Sequence, residues 1–142
     1  MQIAIIGTGN VGCAIAKGLK GKGHRVVFGS RSGDAAKAAA LMAETGATIA
    51  TPKDAAAGAD VVILALPWSA AEAAIRDLGD LAGQTVIDCM NPLGMVGGSL
   101  GLVIGHTDSG GETVQRWLPR AHVVKTLNQV GAEMMADNTR LP

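Results

Sequence analysis

The stretch IAIIGTGNVG, residues 3–12, opens on four aliphatic side chains and then sets glycines at 7, 9 and 12. Glycine-rich turns are common, so the spacing alone does not separate a phosphate cradle from an ordinary turn; the flanking residues do. QIAII (2–6) has the continuous apolar character of a short buried strand, and Val11, Ala14, Ile15 and Leu19 return at the spacing of one helix face. Between a strand and a helix, each glycine has a physical task. Gly7 permits the tight turn, Gly9 has no Cβ to hold a pyrophosphate off the backbone, and Gly12 lets the helix approach the sheet closely. Free N–H groups around Asn10 and Val11, together with the helix dipole, suit an anion. In this setting the motif reads as a dinucleotide-binding fingerprint.

The rest of the chain repeats the alternation. Gly21 and Gly23 end the first helix, and RVVFG (25–29) is a second strand. A helix over 33–44 carries Asp34, Lys37 and Glu44 on one side and alanines on the other, and Gly46 stops it. ATIA (47–50) is a weaker third strand, after which Thr51-Pro52 supplies an N-cap and a first-turn proline. DVVILAL (60–66) is continuous rather than alternating, which predicts burial on both faces, as in a parallel sheet covered by helices. Ser69-x-x-Glu72 reads as a capping box opening the next helix, and TVID (85–88) as strand five. The segment 93–105 reads as a glycine-rich loop. Ser109-x-x-Glu112 is a second capping box, backed by Val114, Trp117 and Leu118 and closed by Pro119. HVVKT (122–126) is strand six, and a final helix covers 131–136. Six strands with helices between them make two βαβαβ halves. The expected fold class is α/β, a doubly wound parallel sheet of the Rossmann type in a single domain.

Composition narrows the function classes. A chain of 142 residues suits one domain with a real core. Because Phe28, Trp68 and Trp117 are its only Phe or Trp residues and tyrosine is absent, that core must be built from Ala, Val, Ile and Leu. Formal net charge is zero, which leaves no electrostatic footprint for nucleic acid or an anionic membrane. No apolar run approaches the roughly 20 residues of a membrane span. Residues 1–6 lack the basic start of a signal peptide. Cys13 and Cys89 are isolated and read as free thiols, which suits a reducing cytoplasm. His24, His106 and His122 have no metal-ligand spacing. The expectation is a soluble cytoplasmic protein that binds a small molecule and no metal, with a homodimer as its assembly.

The end of strand two indicates which dinucleotide. An NAD site usually places an acid there for the ribose 2′-hydroxyl. Here FGSRSGD puts Gly29, Ser30 and Arg31 in that place. A carboxylate would repel a 2′-phosphate, whereas a hydroxyl and a guanidinium attract one, the guanidinium in paired hydrogen bonds. The chain therefore reads as NADP-binding. Lys37 could reach the same phosphate from the following helix but also reads as a solvated side chain.

GTGNVG, GSR, LALPW (64–68), IDCMNP (87–92) and VVKTLNQVGAE (123–133) follow one another in this chain. In that order they resemble the deazaflavin-dependent NADP oxidoreductases, also described as NADPH-dependent F420 reductases. The resemblance runs along essentially the whole chain. It implies that Thr8, Asn10 and Val11 lie along the pyrophosphate, with Ser30 and Arg31 at the 2′-phosphate. It further implies that Leu66 and Pro67 border the adenine-side ribose and pyrophosphate. Asn91-Pro92 and the backbone of Val130 and Ala132 would frame the nicotinamide. The implied chemistry is direct hydride transfer between NADP(H) and coenzyme F420 or another flavin-like acceptor, which needs aligned rings more than an acid–base pair. Consistent with that, no catalytic constellation stands out. Lys125 and Cys89 fall near the carboxyl edge of the sheet and read as structural.

The chain departs from the pattern in three places. Ser32 stands where a second arginine is common, 93–105 resembles relatives of unassigned substrate, and residues 1–142 lack the family's further strands and helix. The expected domain is thus an NADP-binding Rossmann domain over 1–142, truncated at its carboxyl end. Two other readings follow. One is a non-catalytic NADP-binding module or sensor acting with a partner. The other is an imine reductase of the pyrroline-5-carboxylate type, whose amino-terminal domain looks similar.

Overall fold

The alternation closes into one sheet of six parallel strands. A computed structural model describes residues 1–31, 34–137 and 139. Its main-sheet strands are β1 (Gln2–Ile6), β2 (Arg25–Gly29), β3 (Thr48–Ala50), β4 (Val61–Leu64), β5 (Thr85–Asp88) and β8 (His122–Lys125). The intervening helices are α1 (Asn10–Leu19), α2 (Ala35–Thr45), α3 (Pro52–Ala57), α4 (Trp68–Asp77) and α5 (Gly110–Trp117), and α6 (Ala132–Ala136) follows the last strand. Strand order is β3-β2-β1-β4-β5-β8, with every neighbouring pair parallel. The chain thus winds outward from β1, returns to β4 and winds outward the other way. The direction of winding reverses between β1 and β4, where Ile6 pairs with Leu64 at the carboxyl ends. In such sheets ligands bind outside the carboxyl ends at that reversal.

Both faces of the sheet are covered, as the continuous runs predicted. Ala4 and Ile6 of β1 pack with Val62, Leu64 and Ile75 on one face, while Ile3 and Ile5 pack with Ile15, Phe28 and Leu41 on the other. α6 folds back over α1 where Gly18 leaves room, since a Cβ there would lie 2.2 Å from the Met135 carbonyl oxygen. No helix among the described residues is long and apolar enough to cross a membrane.

Two local expectations are corrected. The segment 93–105 is not simply a loop but contains an antiparallel hairpin, β6 (Leu93–Val96) and β7 (Ser99–Leu102). Gly97 and Gly98 turn it, with φ of 58° and 86°, the positive pair that a two-residue turn of matching twist requires. The Ser69 capping box also does not form. α4 begins two residues earlier, with Pro67 at its N-cap and no side-chain cap, because the proline ring already holds φ at a helix-entry value of −59°. The other caps do form: Thr51 and Ser109 accept hydrogen bonds from the Asp54 and Glu112 N–H groups, at 3.2 and 3.1 Å.

Candidate functional site

At the reversal between β1 and β4 the β1–α1 turn and the β4–α4 connection face each other across a cleft with two lobes. Their backbones meet so closely that glycine is obligatory. A Cβ on Gly7 would lie 2.2 Å from the Ala65 carbonyl oxygen, and φ there is +119°. One on Gly12 would lie 2.2 Å from the Gly7 carbonyl oxygen. Gly9 differs. Its φ of −85° suits any residue, and a Cβ there would meet nothing within 4 Å. It borders both lobes. Neither its backbone angle nor packing inside the protein requires glycine at this position, whereas a ligand crossing it would.

Gly9 is also the N-cap of α1, and no side chain caps that helix. The first-turn N–H groups therefore point outward without a side-chain acceptor, with the positive end of the helix dipole behind them. This arrangement fits a pyrophosphate, and Gly9 is where it would pass.

The smaller lobe, of about 360 Å³, is lined by Gly7, Thr8 and Gly9 of the turn, by Gly29, Ser30 and Arg31 beyond β2, and by Leu66 and Pro67. Gly29 is tight here, since its Cβ would come 2.9 Å from the Pro52 Cα. Lys37 lines the same lobe, so two cations border it. Arg31 is exposed, and its guanidinium lies 3.9 Å from the Asp77 carboxylate. An exposed pair at that separation binds weakly and can yield to a phosphate. Ser32, noted as a departure from the two-arginine pattern, lies outside the described residues.

The second lobe, of about 590 Å³, runs from Gly9, Asn10 and Val11 past Leu66 and Pro67 to Trp68, Cys89, Met90, Asn91 and Leu93. Trp68 packs against Trp117 with ring centroids 5.4 Å apart, so this wall is fixed by the core beneath it. Asn91 donates to the Asn128 carbonyl at 3.0 Å, and the Asn128 amide donates to Asn91 Oδ1 at 3.3 Å. Just before Asn128 the chain enters the left-handed region at Leu127, φ +63°, with its side chain against the sheet face. Burial, followed by the Asp88 charge, pushes the Cys89 thiol up to about 11 against a smaller opposing effect of Lys125. Cys89 is therefore a protonated wall residue at neutral pH.

The structure thus gathers Gly7, Thr8, Gly9, Asn10, Val11, Leu66, Pro67 and Asn91 along one cleft and sets Ser30 and Arg31 at its far end. Gly12 lies beneath the turn and lines neither lobe. Val130 lies in the turn before α6 and Ala132 is the first residue of that helix; neither lines either lobe. The reading from sequence missed Ala65, Ser69, Met90 and Leu93 as lining residues, although Ala65 and Met90 fall inside the quoted LALPW and IDCMNP stretches. Among the described residues no three His, Cys, Asp or Glu side chains cluster as metal ligands.

Residues 2–92 match the family described as NADP oxidoreductase, coenzyme F420-dependent. The chain belongs to that family. The F420-dependent NADP reductase of Methanothermobacter thermautotrophicus is 36% identical over 109 residues, 70% of this chain and 47% of that protein. A candidate F420-dependent NADP reductase from Arthrobacter sp. FB24, solved as a crystal structure, is 38% identical with a TM-score of 0.90 over 99% of this chain and 68% of its own. A reductive aminase from Aspergillus terreus in complex with NADPH and ethyl levulinate is 25% identical, with a TM-score of 0.62 over 87% of this chain and 39% of its own. This F420-dependent oxidoreductase family member therefore spans about half the length of the Methanothermobacter relative and two thirds of the Arthrobacter one.

Proposed function

We propose that the chain is a cytoplasmic NADP-dependent oxidoreductase domain passing hydride between NADP(H) and a deazaflavin- or flavin-like acceptor. Gly9 carries this reading, as the glycine whose lack of a side chain has no use within the protein itself. Thr8, Asn10 and Val11 would hold the pyrophosphate with their N–H groups. Ser30 and Arg31, helped by Lys37, would hold the 2′-phosphate. That makes the smaller lobe the adenosine lobe. Leu66 and Pro67 would border the adenine-side ribose and pyrophosphate, and Asn91 would border the nicotinamide in the larger lobe, with the backbone of Val130 and Ala132 beyond it, outside the lobe's lining. When bound, the reduced nicotinamide supplies the hydride. The protein's part is to orient the ring and keep water from it, a task suited to Trp68, Met90 and the un-ionised Cys89. Family membership and the reductases among the relatives support this over a non-catalytic nucleotide sensor or an imine reductase.

The decisive experiment is anaerobic mixing of the chain with NADPH and oxidised deazaflavin, followed by absorbance, with NADH and riboflavin alongside. Loss of deazaflavin absorbance with NADPH is expected. Tight NADPH binding without turnover of either acceptor would leave a binding module instead.

We also propose self-association through the β6–β7 hairpin. Leu93, Met95, Leu100 and Leu102 share one of its faces by register and are 41%, 71%, 71% and 59% exposed. Residues 92–105 contain no charged side chain, so the complementary surface is also uncharged, and a second copy about a two-fold axis supplies it. Sedimentation should show a dimer that Met95→Lys with Leu100→Lys converts to monomer. A monomeric wild-type chain would refute this assembly.

A further inference from the structure

Asp88 has no exposed surface, and a buried carboxylate persists only when paired and hydrogen-bonded. Its Oδ1 accepts from the Met90 N–H at 2.8 Å and its Oδ2 from Lys125 Nζ at 3.2 Å. Lys125 and Asp88 are register partners at the carboxyl ends of β8 and β5. The same ammonium also donates to the Met90 carbonyl. Met90 is therefore held at both its peptide groups, the N–H by Asp88 and the C=O by Lys125. Three residues further along each segment, Asn91 and Asn128 form the second cross-link. Two rungs thus tie the segment 88–91, which forms a wall of the larger lobe, to the segment 125–128.

The lysine stem has little freedom. A Cβ on Gly111, at the start of α5, would sit 3.1 Å from the Lys125 Cβ, so helix and strand confine the side chain together. A lysine serving only solubility would extend into water; this one turns inward to two partners.

We propose that Lys125 is a positioning residue, which through Met90 and Asp88 fixes the 89–91 wall where the nicotinamide half of the cofactor lies, without itself touching the ring. This rests on the NADP(H) reading of the cleft. The adenosine lobe shares none of these bonds, so the effect of removing the ammonium is confined to one half of the ligand.

The test compares NADPH with adenosine 2′,5′-bisphosphate, which can fill only the adenosine lobe, by calorimetry on wild type, Lys125→Met and Lys125→Arg. Lys125→Met should weaken NADPH about tenfold, the loss expected for one charge-assisted hydrogen bond, and leave the bisphosphate within about twofold. The fluorescence of bound NADPH should shift toward that of the free nucleotide, and Lys125→Arg should restore most of both signals. Where Lys125→Met does not fold, Asp88→Asn with Lys125→Met removes the buried uncompensated charge and is measured the same way. Equal weakening of both ligands, or unchanged NADPH affinity and fluorescence, would overturn the positioning role. Wild type binding neither ligand would overturn the cofactor reading itself, and this inference with it.

Discussion

The two lobes of the cleft are built by opposite means. The smaller lobe is made mainly from short pieces of chain whose shape is dictated locally, the turn after β1 and the end of β2, each following directly from a strand. The larger lobe has one wall, residues 89–91, that is tied to a segment 37 residues further along the chain by Asp88–Lys125 and Asn91–Asn128. One end is held by steric exclusion, in which backbone meets backbone and only glycine fits. The other is held by hydrogen bonds between side chains and distant backbone. The first kind of construction fails by unfolding when disturbed, and the second by losing alignment.

The sharpest way to break this contrast lies within the glycine turn. Gly7→Ala and Gly12→Ala each drive a Cβ to 2.2 Å from a carbonyl oxygen. Each should cost about 3 kcal/mol or more of folding stability, read from urea denaturation. Gly9→Ala meets nothing within 4 Å. It should change stability by less than about 1 kcal/mol, yet lower NADPH affinity at least about tenfold because the methyl group occupies the pyrophosphate path. Three variants with the same loss of stability would mean that Gly9 is structural and that the turn holds no ligand.

How far the molecule was legible in its sequence follows the same division. The succession of strands and helices came through because most strands are short runs rich in aliphatic residues and most helices have a local periodicity. The tight turn between β1 and α1 came through because Gly7 and Gly12 act within six residues. Residues 93–105 were read as loop because glycine counts weigh against strands. The alternation of Leu93 with Met95 and of Leu100 with Leu102, about the Gly97-Gly98 pair, held the opposite information. At α4 the serine pattern was a false guide, since Pro67 had already set the helix start. No local pattern announces that Asn91 will meet Asn128, or that Lys125 will hold Met90. Those bonds exist only once β5 and β8 are side by side. Val130 and Ala132 entered by resemblance, and their place at the start of α6 depends on the path after Leu127.

Arg31 tests the adenosine lobe with its fold left intact. The side chain is exposed and its ionic partner Asp77 is 3.9 Å away, so replacement should leave stability unchanged. Arg31→Glu should weaken NADPH relative to NADH by about thirtyfold, or about 2 kcal/mol, as one attractive contact to the 2′-phosphate becomes repulsive. Titrations with both nucleotides read this directly. Equal losses would remove the 2′-phosphate from this position and leave Lys37 as the cation to examine.

The smallest effect belongs to Cys89 and reports on the other lobe. Its thiol is raised to about 11, first by burial and then by the Asp88 charge. A folded-state pKa above the unfolded value means that the contribution of the neutral thiol to stability is complete below the ordinary thiol range. That contribution is lost as pH rises through the range up to about 11. In a Cys13→Ser background, reaction with a neutral alkylating reagent should stay slow at pH 8 and accelerate toward that value, because the thiolate is the nucleophile. Since Cys89 lines the larger lobe, NADPH should slow the reaction further, whereas adenosine 2′,5′-bisphosphate should not. Protection by both ligands would mean that filling the adenosine lobe already closes the other one, and the two ends of the cleft would then be one mechanical unit.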